Sequence, residues 1–329
     1  MERPSLRPQR WQPPIAVPST RARRRALPAL SFIEVPGTGP EDVLVDAAGR
    51  LITGLADGRI LRIREHGKSI ETVAETHGRP LGIELLADGA LLVCDAKRGL
   101  LRVTPDSGAV EPLVESVHGQ RLGFCNNAAV AADGTLYFSD SSRRFGIEHW
   151  RADLLEHSAS GRLIRRSPDG RCDVLLDGLK FANGVALSAD ESFVTVAETA
   201  GYRLSRYWLK GPRAGTRDTL IENLHGFPDN IARGSDGLIW ITQASPRDPL
   251  LDMLLPRAPL LRSVVWKLPE ALVQPKRTVW VIAVNDAGEV VHDLQGSHAG
   301  YHMVTGVREH HGVVYMGSLV ERALAWFKL

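Results

Sequence analysis

The chain has 329 residues, of which 43% are hydrophobic and 24% charged, which is enough for a large core and excludes disorder, collagen and a small disulfide scaffold. The formal net charge is +2, but seven arginines and one glutamate give +6 in the first 25 residues and therefore −4 in the rest. An acidic body is a poor binder of polyanions, so we expect no nucleic-acid partner.

Membrane and secretory signals are missing from the sequence. No segment approaches the roughly 18 consecutive apolar residues that a transmembrane helix needs, and no apolar stretch with a cleavage site follows the N-terminus. The three cysteines, Cys94, Cys125 and Cys172, are odd in number and widely spaced, which favours reduced thiols over disulfides or a zinc cluster. We therefore predict a cytoplasmic protein without a transmembrane segment.

Residues 1–29 are rich in proline and arginine, a composition typical of an irregular arm rather than a domain. Ordered structure is predicted to begin near residues 31–35. The domain prediction is therefore an N-terminal arm over residues 1–29 and one folded body over residues 30–329.

The body repeats a short pattern six times: a β-rich run reaches Asp-Gly or a close substitute and then restarts. The intervals between the hairpin positions are 40, 45, 57, 46 and 75 residues. A period of about 40 to 50 residues with four short strands is the signature of propeller blades. We predict an all-β, six-bladed β-propeller, with a β-sandwich of irregular repeats as the alternative. The hairpin positions are Gly49, Gly89, Gly134, Glu191, Gly237 and Gly312.

The last repeat stops one strand short, after predicted strands at residues 304–308, 313–317 and 323–327. The β-rich segment 32–35 has no repeat of its own. It is predicted to complete the last blade, which would close the ring and remove two exposed sheet edges.

Two insertions account for the long intervals, at residues 141–161 and 244–263. The second contains residues 249–256, which could form one or two helical turns with one apolar face. This segment either packs against the neighbouring blade or forms a lid over a pocket.

The repeat register also points to a site. Eight residues before each hairpin position lies the start of the inner strand, which lines the central channel. Four of these six positions carry side-chain oxygens, and two carboxylates with two amides form an acidic site that favours a hard cation. Ca²⁺ is expected first, with Mg²⁺, Mn²⁺ and Zn²⁺ as alternatives. Asn and Asp also precede strands simply because they form turns. The six positions are Glu41, Leu81, Asn126, Asn183, Asp229 and Val304.

Several motifs carry a family resemblance. They include residues 39–41 (GPE), 79–83 (RPLGI), 133–142 (DGTLYFSDSS), 181–188 (FANGVALS), 206–211 (RYWLKG), 228–231 (PDNI) and 309–310 (EH). With these motifs the chain resembles the strictosidine synthase-like branch of the calcium-dependent phosphotriesterase superfamily, which also holds the gluconolactonases, regucalcin and the paraoxonases. The resemblance implies a six-bladed propeller with a divalent metal in its central channel. It also implies metal ligation by Glu41, Asn126, Asn183 and Asp229.

The departures from these relatives bear on function. The paraoxonases have a catalytic histidine where this chain has Leu81, and the gluconolactonases have a substrate-binding arginine where it has Phe124. The alkaloid-forming synthases have a glutamate shortly before the Glu309-His310 motif, and residues 301–308 contain none. Leu81, Phe124 and Met303 are therefore expected to form an apolar channel mouth.

The predicted function is a calcium-dependent hydrolase, a lactonase or esterase, acting on a small-molecule substrate with apolar character. For the general base, the resemblance supports Asp229 and sequence position supports His302. Two other functions stay open. One is a non-catalytic binding propeller stabilised by its metal, and the other is a strictosidine synthase-type enzyme that condenses carbon and nitrogen.

Overall fold

The computed structural model describes residues 3–15, 25–257, 259–269 and 274–329. In these residues, six sheets of four or five strands, in which successive strands pair antiparallel, surround a central axis, and one further hairpin has two strands. The inner strands of successive sheets contact each other, and the inner strand of the sixth sheet contacts that of the first. The architecture is a six-bladed β-propeller, which confirms the predicted fold class.

The strands follow the chain around the ring. Two strands precede the first blade: β1 (Arg25–Ala26) and β2 (Ser31–Glu34). Blade one contains β3 (Leu44–Val45), β4 (Leu51–Gly54), β5 (Arg59–Arg64) and β6 (Ser69–Glu75). Blade two contains β7 (Pro80–Leu85), β8 (Leu91–Asp95), β9 (Gly99–Thr104) and β10 (Ala109–Val114), and a hairpin of β11 (Ser116–Val117) and β12 (Gln120–Arg121) follows it. Blade three contains β13 (Cys125–Val130), β14 (Leu136–Asp140), β15 (Gly161–Arg166) and β16 (Cys172–Leu179).

Blade four contains β17 (Ala182–Leu187), β18 (Phe193–Glu198), β19 (Arg203–Trp208) and β20 (Arg217–Ile221). Blade five contains β21 (Gly226–Arg233), β22 (Ile239–Pro246), β23 (Val279–Val284) and β24 (Val290–Gly296). Blade six contains β25 (Val304–His310), β26 (Val313–Ser318) and β27 (Ala323–Lys328). Among the residues that the structure describes, three helices lie between strands: α1 (Trp150–Glu156), α2 (Pro249–Leu254) and α3 (Pro259–Lys267). Short 3-10 turns span Glu65–Gly67, Ile147–His149 and Thr199–Gly201.

The repeated hairpins are the turns that the sequence predicts. Gly89 has a φ of +85°, a left-handed conformation that glycine adopts without a steric penalty. Blade four lacks the glycine, and Glu191 takes the same conformation there with a φ of +54°. The repeat therefore tolerates a non-glycine residue at this turn.

The strand β2 completes the sixth blade, as predicted. It pairs antiparallel with β27, from Ser31 opposite Trp326 to Glu34 opposite Ala323. Ile33 is 3% exposed and packs in a cluster with Leu324 and with residues of blade one. Residues from the two ends of the sequence therefore share one sheet, and the ring closes through this pairing.

The N-terminal arm is more structured than its composition indicates. Arg25 and Ala26 form β1, which pairs parallel with β24 and gives blade five a fifth strand. A strand of two residues has no hydrophobic periodicity, so the sequence does not reveal it and it falls within the predicted irregular arm. The domain division at residue 29 stays a prediction.

Both insertions form helices on the same face of the propeller. Cys125 pairs with Asp140, and Gly226 with Pro246, so each insertion leaves its sheet at the end where the inner strand starts. The second insertion is longer than expected, because β23 begins only at Val279. Within the described residues, no helix is long and apolar enough to cross a membrane.

Candidate active site

A cavity of about 270 Å³ lies where the inner strands start. Seven predicted site residues line it: the four proposed metal ligands and the three proposed apolar wall residues. The structure therefore brings these residues to one place, and metal binding by them stays a prediction. They are Glu41, Asn126, Asn183, Asp229, Leu81, Phe124 and Met303.

The two amide ligands are oriented by hydroxyl groups. Asn126 donates through Nδ2 to Ser141 Oγ at 2.9 Å, and Asn183 donates through Nδ2 to Thr199 Oγ1 at 3.2 Å. In both residues the carbonyl oxygen Oδ1 is buried and has no hydrogen-bond partner among the described residues. An unpartnered buried acceptor costs about 1–3 kcal/mol, so two of them at one cavity indicate a site shaped for a ligand that accepts their lone pairs.

The two carboxylates of the cavity lie where their ionised forms are disfavoured. Burial is the main cause that raises the pKa of Glu41 well above its ordinary value, and the negative charges of Asp229 and Asp42 raise it further. Burial also raises the pKa of Asp229 to about 7, although hydrogen bonds from Asn183 and from the Asn230 backbone lower it. A divalent cation would relieve this repulsion and stabilise both ionised groups.

The donor chemistry matches a hard cation. Within the described ranges, no three His, Cys, Asp or Glu residues form a metal cluster. Any cation held here would therefore depend on amide as well as carboxylate oxygens. Such all-oxygen ligation favours Ca²⁺ over zinc, which takes nitrogen and sulfur.

The inner strands bend where the ligands lie. The pairing register shifts between Cys125 and Ala128, between Ala182 and Val185, and between Pro228 and Ile231. Each shift contains one of the proposed ligands, in the manner of β-bulges that redirect side chains near active sites. The local backbone thus leaves the regular pleat at Asn126, Asn183 and Asp229.

Close packing between blades holds these bends. A Cβ atom added to Gly82 would lie 2.7 Å from the Asn127 Cα, and one added to Gly184 would lie 2.1 Å from the Ile231 nitrogen. Between blades three and four, Asn127 Oδ1 accepts from the Val185 N–H at 2.9 Å. The ligand positions are therefore fixed by contacts between neighbouring blades.

Two polar residues beside the site were not assigned by sequence reasoning. Asn230 donates to Glu41, and its own Oδ1 is buried and has no partner in the described part of the chain. Its place directly after Asp229 is a signal that could have been used. Arg79 donates to the Gly39 carbonyl at 2.9 Å, and its positive charge lowers the pKa of Glu41. No described residue accepts a hydrogen bond from its buried Nη2. Arg79 lies two residues before the register position of blade two, so the offset of eight residues from the hairpin position does not identify it.

The structure does not bring His302 to the cavity, so its predicted role as a general base is not supported. Its Nδ1 hydrogen bonds to Glu321, and its Nε2 lies 3.4 Å from Arg277 Nη1. The next residue, Met303, has a φ of +49° and lines the cavity, whereas His302 is not among the lining residues. The physical reason is this local turn, which separates the two adjacent side chains.

The roof of the cavity, which we call the lid, consists of residues 141–160, 247–257 and 259–269. From it Trp150 and Leu154 of α1, Leu251 and Leu254 of α2, and Val265 of α3 line the cavity. Opposite them, Phe124 packs edge-on against Phe181 with the ring centroids 5.5 Å apart. The site is therefore a polar floor under apolar walls and a mainly apolar lid, from which Arg151, Arg247 and Asp248 also line the cavity.

Comparisons with known proteins agree with this architecture. Residues 126–212 match the sequence profile of strictosidine synthase, and residues 23–63 match that of the strictosidine synthase-like N-terminal region. The chain is 35% identical to the adipocyte plasma membrane-associated protein of Rattus norvegicus, over 92% of this chain and 85% of that protein. It is 33% identical to strictosidine synthase-like 10 of Arabidopsis thaliana, over 95% and 92% of the two chains.

Solved structures share the fold at lower identity. A gluconolactonase from Xanthomonas campestris superposes with a TM-score of 0.67 at 19% identity, over 99% of this chain and 97% of that chain. A calcium-binding regucalcin from Agrobacterium tumefaciens superposes with a TM-score of 0.60 at 13% identity, over 90% and 94%. These likenesses establish a common propeller.

Proposed function

We propose that this chain, which belongs to the strictosidine synthase-like family, is a calcium-dependent hydrolase of a lactone or other ester with apolar character. The observation that carries the proposal is the pair of amide oxygens, Asn126 Oδ1 and Asn183 Oδ1, that have no partner among the described residues and lie in one cavity with the buried carboxylate of Glu41 and the half-buried carboxylate of Asp229. The gluconolactonase and the regucalcin of the same fold are named for lactone chemistry and calcium, which is consistent with the proposal.

The proposed ligands are Glu41, Asn126, Asn183 and Asp229. Bound Ca²⁺ would supply a Lewis acid that polarises the ester carbonyl. Asn126 and Asn183 present neutral oxygens to the cation, because their amide nitrogens are already bonded to Ser141 and Thr199. Glu41 is held by Asn230, which donates to both of its carboxylate oxygens.

The proton of the attacking water would pass to the Asp229 carboxylate. This group lines the cavity, and hydrogen bonding from the Asn183 side chain and the Asn230 backbone N–H lowers its pKa against the effect of burial. A general base must lie within hydrogen-bond reach of the proton that it removes. Of the two bases predicted from sequence, Asp229 alone lies in the cavity, and we assign the role to it.

The walls favour an alkyl or aryl group on the substrate. Leu81, Phe124 and Met303 line the cavity, and none of them can hydrogen bond to the hydroxyl groups of a sugar lactone. Burial of one full apolar side chain contributes roughly 1.5 to 3 kcal/mol, and an apolar substituent of similar size would gain a comparable amount. We propose lactones with alkyl chains and aryl esters as the substrate class.

The test is a panel of alkyl lactones, aryl esters, phosphotriesters and gluconolactone, assayed with Ca²⁺, with Mn²⁺ and with EDTA. We expect calcium-dependent turnover of the apolar esters and its loss in Asn183→Ala. If no ester is hydrolysed with any metal although Ca²⁺ raises the melting temperature, the chain is a metal-stabilised binding propeller. Condensation of an amine with an aldehyde, without ester hydrolysis, would instead favour the synthase reaction.

A further inference from the structure

The described start of the N-terminal arm, residues 3–15, crosses the lid, and we call it the strap. The indole Nε1 of Trp266 in α3 donates to the Pro4 carbonyl at 2.9 Å. Further along, the Gln9 N–H donates to the carbonyl of Glu156, the last residue of α1, at 2.7 Å, and the Trp11 N–H donates to the Leu255 carbonyl after α2 at 3.2 Å. The strap therefore bonds to all three lid segments.

Two buried arginines join the strap to the lid. Arg262 of α3 is 0% exposed, and it donates to the Leu155 carbonyl at 2.8 Å and to the Gln9 carbonyl at 2.6 Å. Arg247 donates to the Pro14 carbonyl at 2.7 Å and to Asp252 of α2 at 2.9 Å. A planar guanidinium directs its donors to several acceptors at once, so each arginine fixes the strap and a lid segment together.

The strap also contributes an aromatic contact. The Trp11 ring stacks on His157, directly after α1, with the ring centroids 4.4 Å apart and the planes at 20°. Tyr202, directly after the 3-10 turn in blade four, lies with its ring centroid 5.9 Å from that of Trp11. Trp11 thus covers the end of α1 and connects it to the body of the propeller.

The strap acts on the opposite side of the lid from the substrate. No described strap residue lines the cavity, whereas residues of α1, α2 and α3 do. These helices have seven, six and nine residues, and helices so short depend on tertiary contacts for their stability. Loss of the strap contacts should therefore loosen the cavity wall without altering the proposed metal ligands.

We propose that the strap is a positioning element which holds the lid in place, so that Trp11 and Arg262 set the affinity of the cavity for substrates with long apolar groups. The substrate part of this inference rests on the proposed hydrolase function. The positioning part rests only on the contacts described above. The two parts need separate readouts.

The variants for the test are Trp11→Ala and Arg262→Met in the full chain. Trp11→Phe retains a ring for stacking and serves as the rescue variant. Ile15→Ala is the matched control, because this strap side chain is 86% exposed. The first readout is amide hydrogen exchange in α1 and α3, with the strands of blade two as the internal reference.

We expect exchange in α1 and α3 to become roughly tenfold faster in Trp11→Ala and Arg262→Met, with the blade-two strands unchanged. Trp11→Phe and Ile15→Ala should match the unmodified protein. The rise in melting temperature with Ca²⁺ should be the same in Trp11→Ala as in the unmodified chain. Unchanged exchange in the lid of Trp11→Ala would overturn the inference, even if Arg262→Met fails to fold.

The second readout is steady-state kinetics on alkyl lactones of increasing chain length. In Trp11→Ala we expect KM for the longest chain to rise roughly tenfold, with kcat for the shortest chain unchanged. Faster lid exchange with unchanged KM would overturn the substrate part alone. If the unmodified protein hydrolyses no ester, the proposed function fails, and hydrogen exchange still decides the positioning role.

Discussion

The side-chain amide of Asn230 donates to both carboxylate oxygens of Glu41, at 3.1 and 3.2 Å. Asn230 belongs to β21 of blade five, whereas Glu41 precedes β3 of blade one. Blade six lies between these two blades in the ring, so the contact spans the start of its inner strand. Thr305 of blade six completes the link, since its Oγ1 donates to the Glu41 carbonyl at 2.8 Å. One proposed ligand is therefore fixed by two other blades, and the site depends on the closed ring.

This dependence leads to a prediction about stability. The unfolded chain cannot assemble ligands from four blades, so Ca²⁺ should bind only the folded state. At a concentration of about 100 times Kd the gain is roughly 2.7 kcal/mol. We expect a higher melting temperature with Ca²⁺ than with EDTA, and a smaller gain in Asn183→Ala. Asn285→Ala, in the hairpin between β23 and β24, should retain the full gain, and identical melting curves in Ca²⁺ and EDTA would contradict the metal site.

The two carboxylates can be distinguished by their effects on turnover. Glu41→Gln and Asp229→Asn each remove one negative charge from the cavity, so both should weaken Ca²⁺ binding. Only Asp229→Asn removes the proposed base, and we expect kcat at saturating Ca²⁺ to fall about 10²- to 10⁴-fold in that variant. Calcium titrations followed by kinetics at saturation give both quantities. Equal losses of kcat in the two variants would make Asp229 a ligand without a role as base.

The repeat register explains why much of the site could be found from the sequence. Because equivalent residues of a propeller repeat lie at equivalent heights, one offset from the hairpin positions gives Glu41, Asn126, Asn183 and Asp229 together. The same periodicity places the closing strand β2, since the last repeat lacks a fourth strand. These predictions rest on the symmetry of the fold.

Features that break the symmetry could not be found in this way. Arg79 at the start of blade two lowers the pKa of Glu41 through its charge, but no offset marks its position, and β1 is too short to show a period. The contact of the strap with the lid joins residues as far apart as Gln9 and Arg262. Such contacts depend on the path of the chain after folding, and local sequence patterns contain no record of it.

Ring closure can be tested at Ile33. This β2 residue is buried between blade six and blade one, and its truncation in Ile33→Ala should leave a cavity and loosen the pairing with β27. We expect the free energy of unfolding to fall by about 2 to 5 kcal/mol, measured by denaturant titration. Ile15→Ala removes the same atoms from an exposed position and should have almost no effect. Equal stability of the two variants would show that β2 is not needed to close the ring.

The apolar wall can be tested at Phe124. Its backbone N–H donates to Asp140 at 2.8 Å, so a change of side chain should leave the strand in place. Phe124→Ala removes the ring that packs on Phe181, and kcat/KM for alkyl lactones should fall about 10- to 150-fold, the equivalent of roughly 1.5 to 3 kcal/mol. Phe32→Ala in β2, outside the cavity, is the control. A loss that is just as large for a short-chain ester would argue against a wall that selects apolar groups.

The last prediction concerns acid and the end of α1. Burial, with smaller contributions from the charges of Lys180 and Arg262, lowers the pKa of His157 to about 3. In the unfolded chain its pKa is about 6.5, so the folded state binds fewer protons between pH 6.5 and 3. The stability that neutral His157 provides is therefore complete above pH 6.5 and is lost as the pH falls, by about 2 kcal/mol at pH 5.

Asp153 of α1 acts in the opposite direction. Burial raises its pKa to about 6, so the folded state gains stability from its protonation as the pH falls below 6. The effect of Asp153 cancels when the unmodified chain is compared with His157→Phe, because both proteins contain Asp153. The phenyl ring can still stack on Trp11, and the cost of placing it at a φ of +59° does not depend on pH.

We expect the difference in unfolding free energy between variant and unmodified chain to shift by about 2 kcal/mol in favour of the variant between pH 7.5 and pH 5. Denaturant titrations at the two pH values measure this shift, and a difference that stays constant would mean that His157 takes up its proton without opening the contact with the strap.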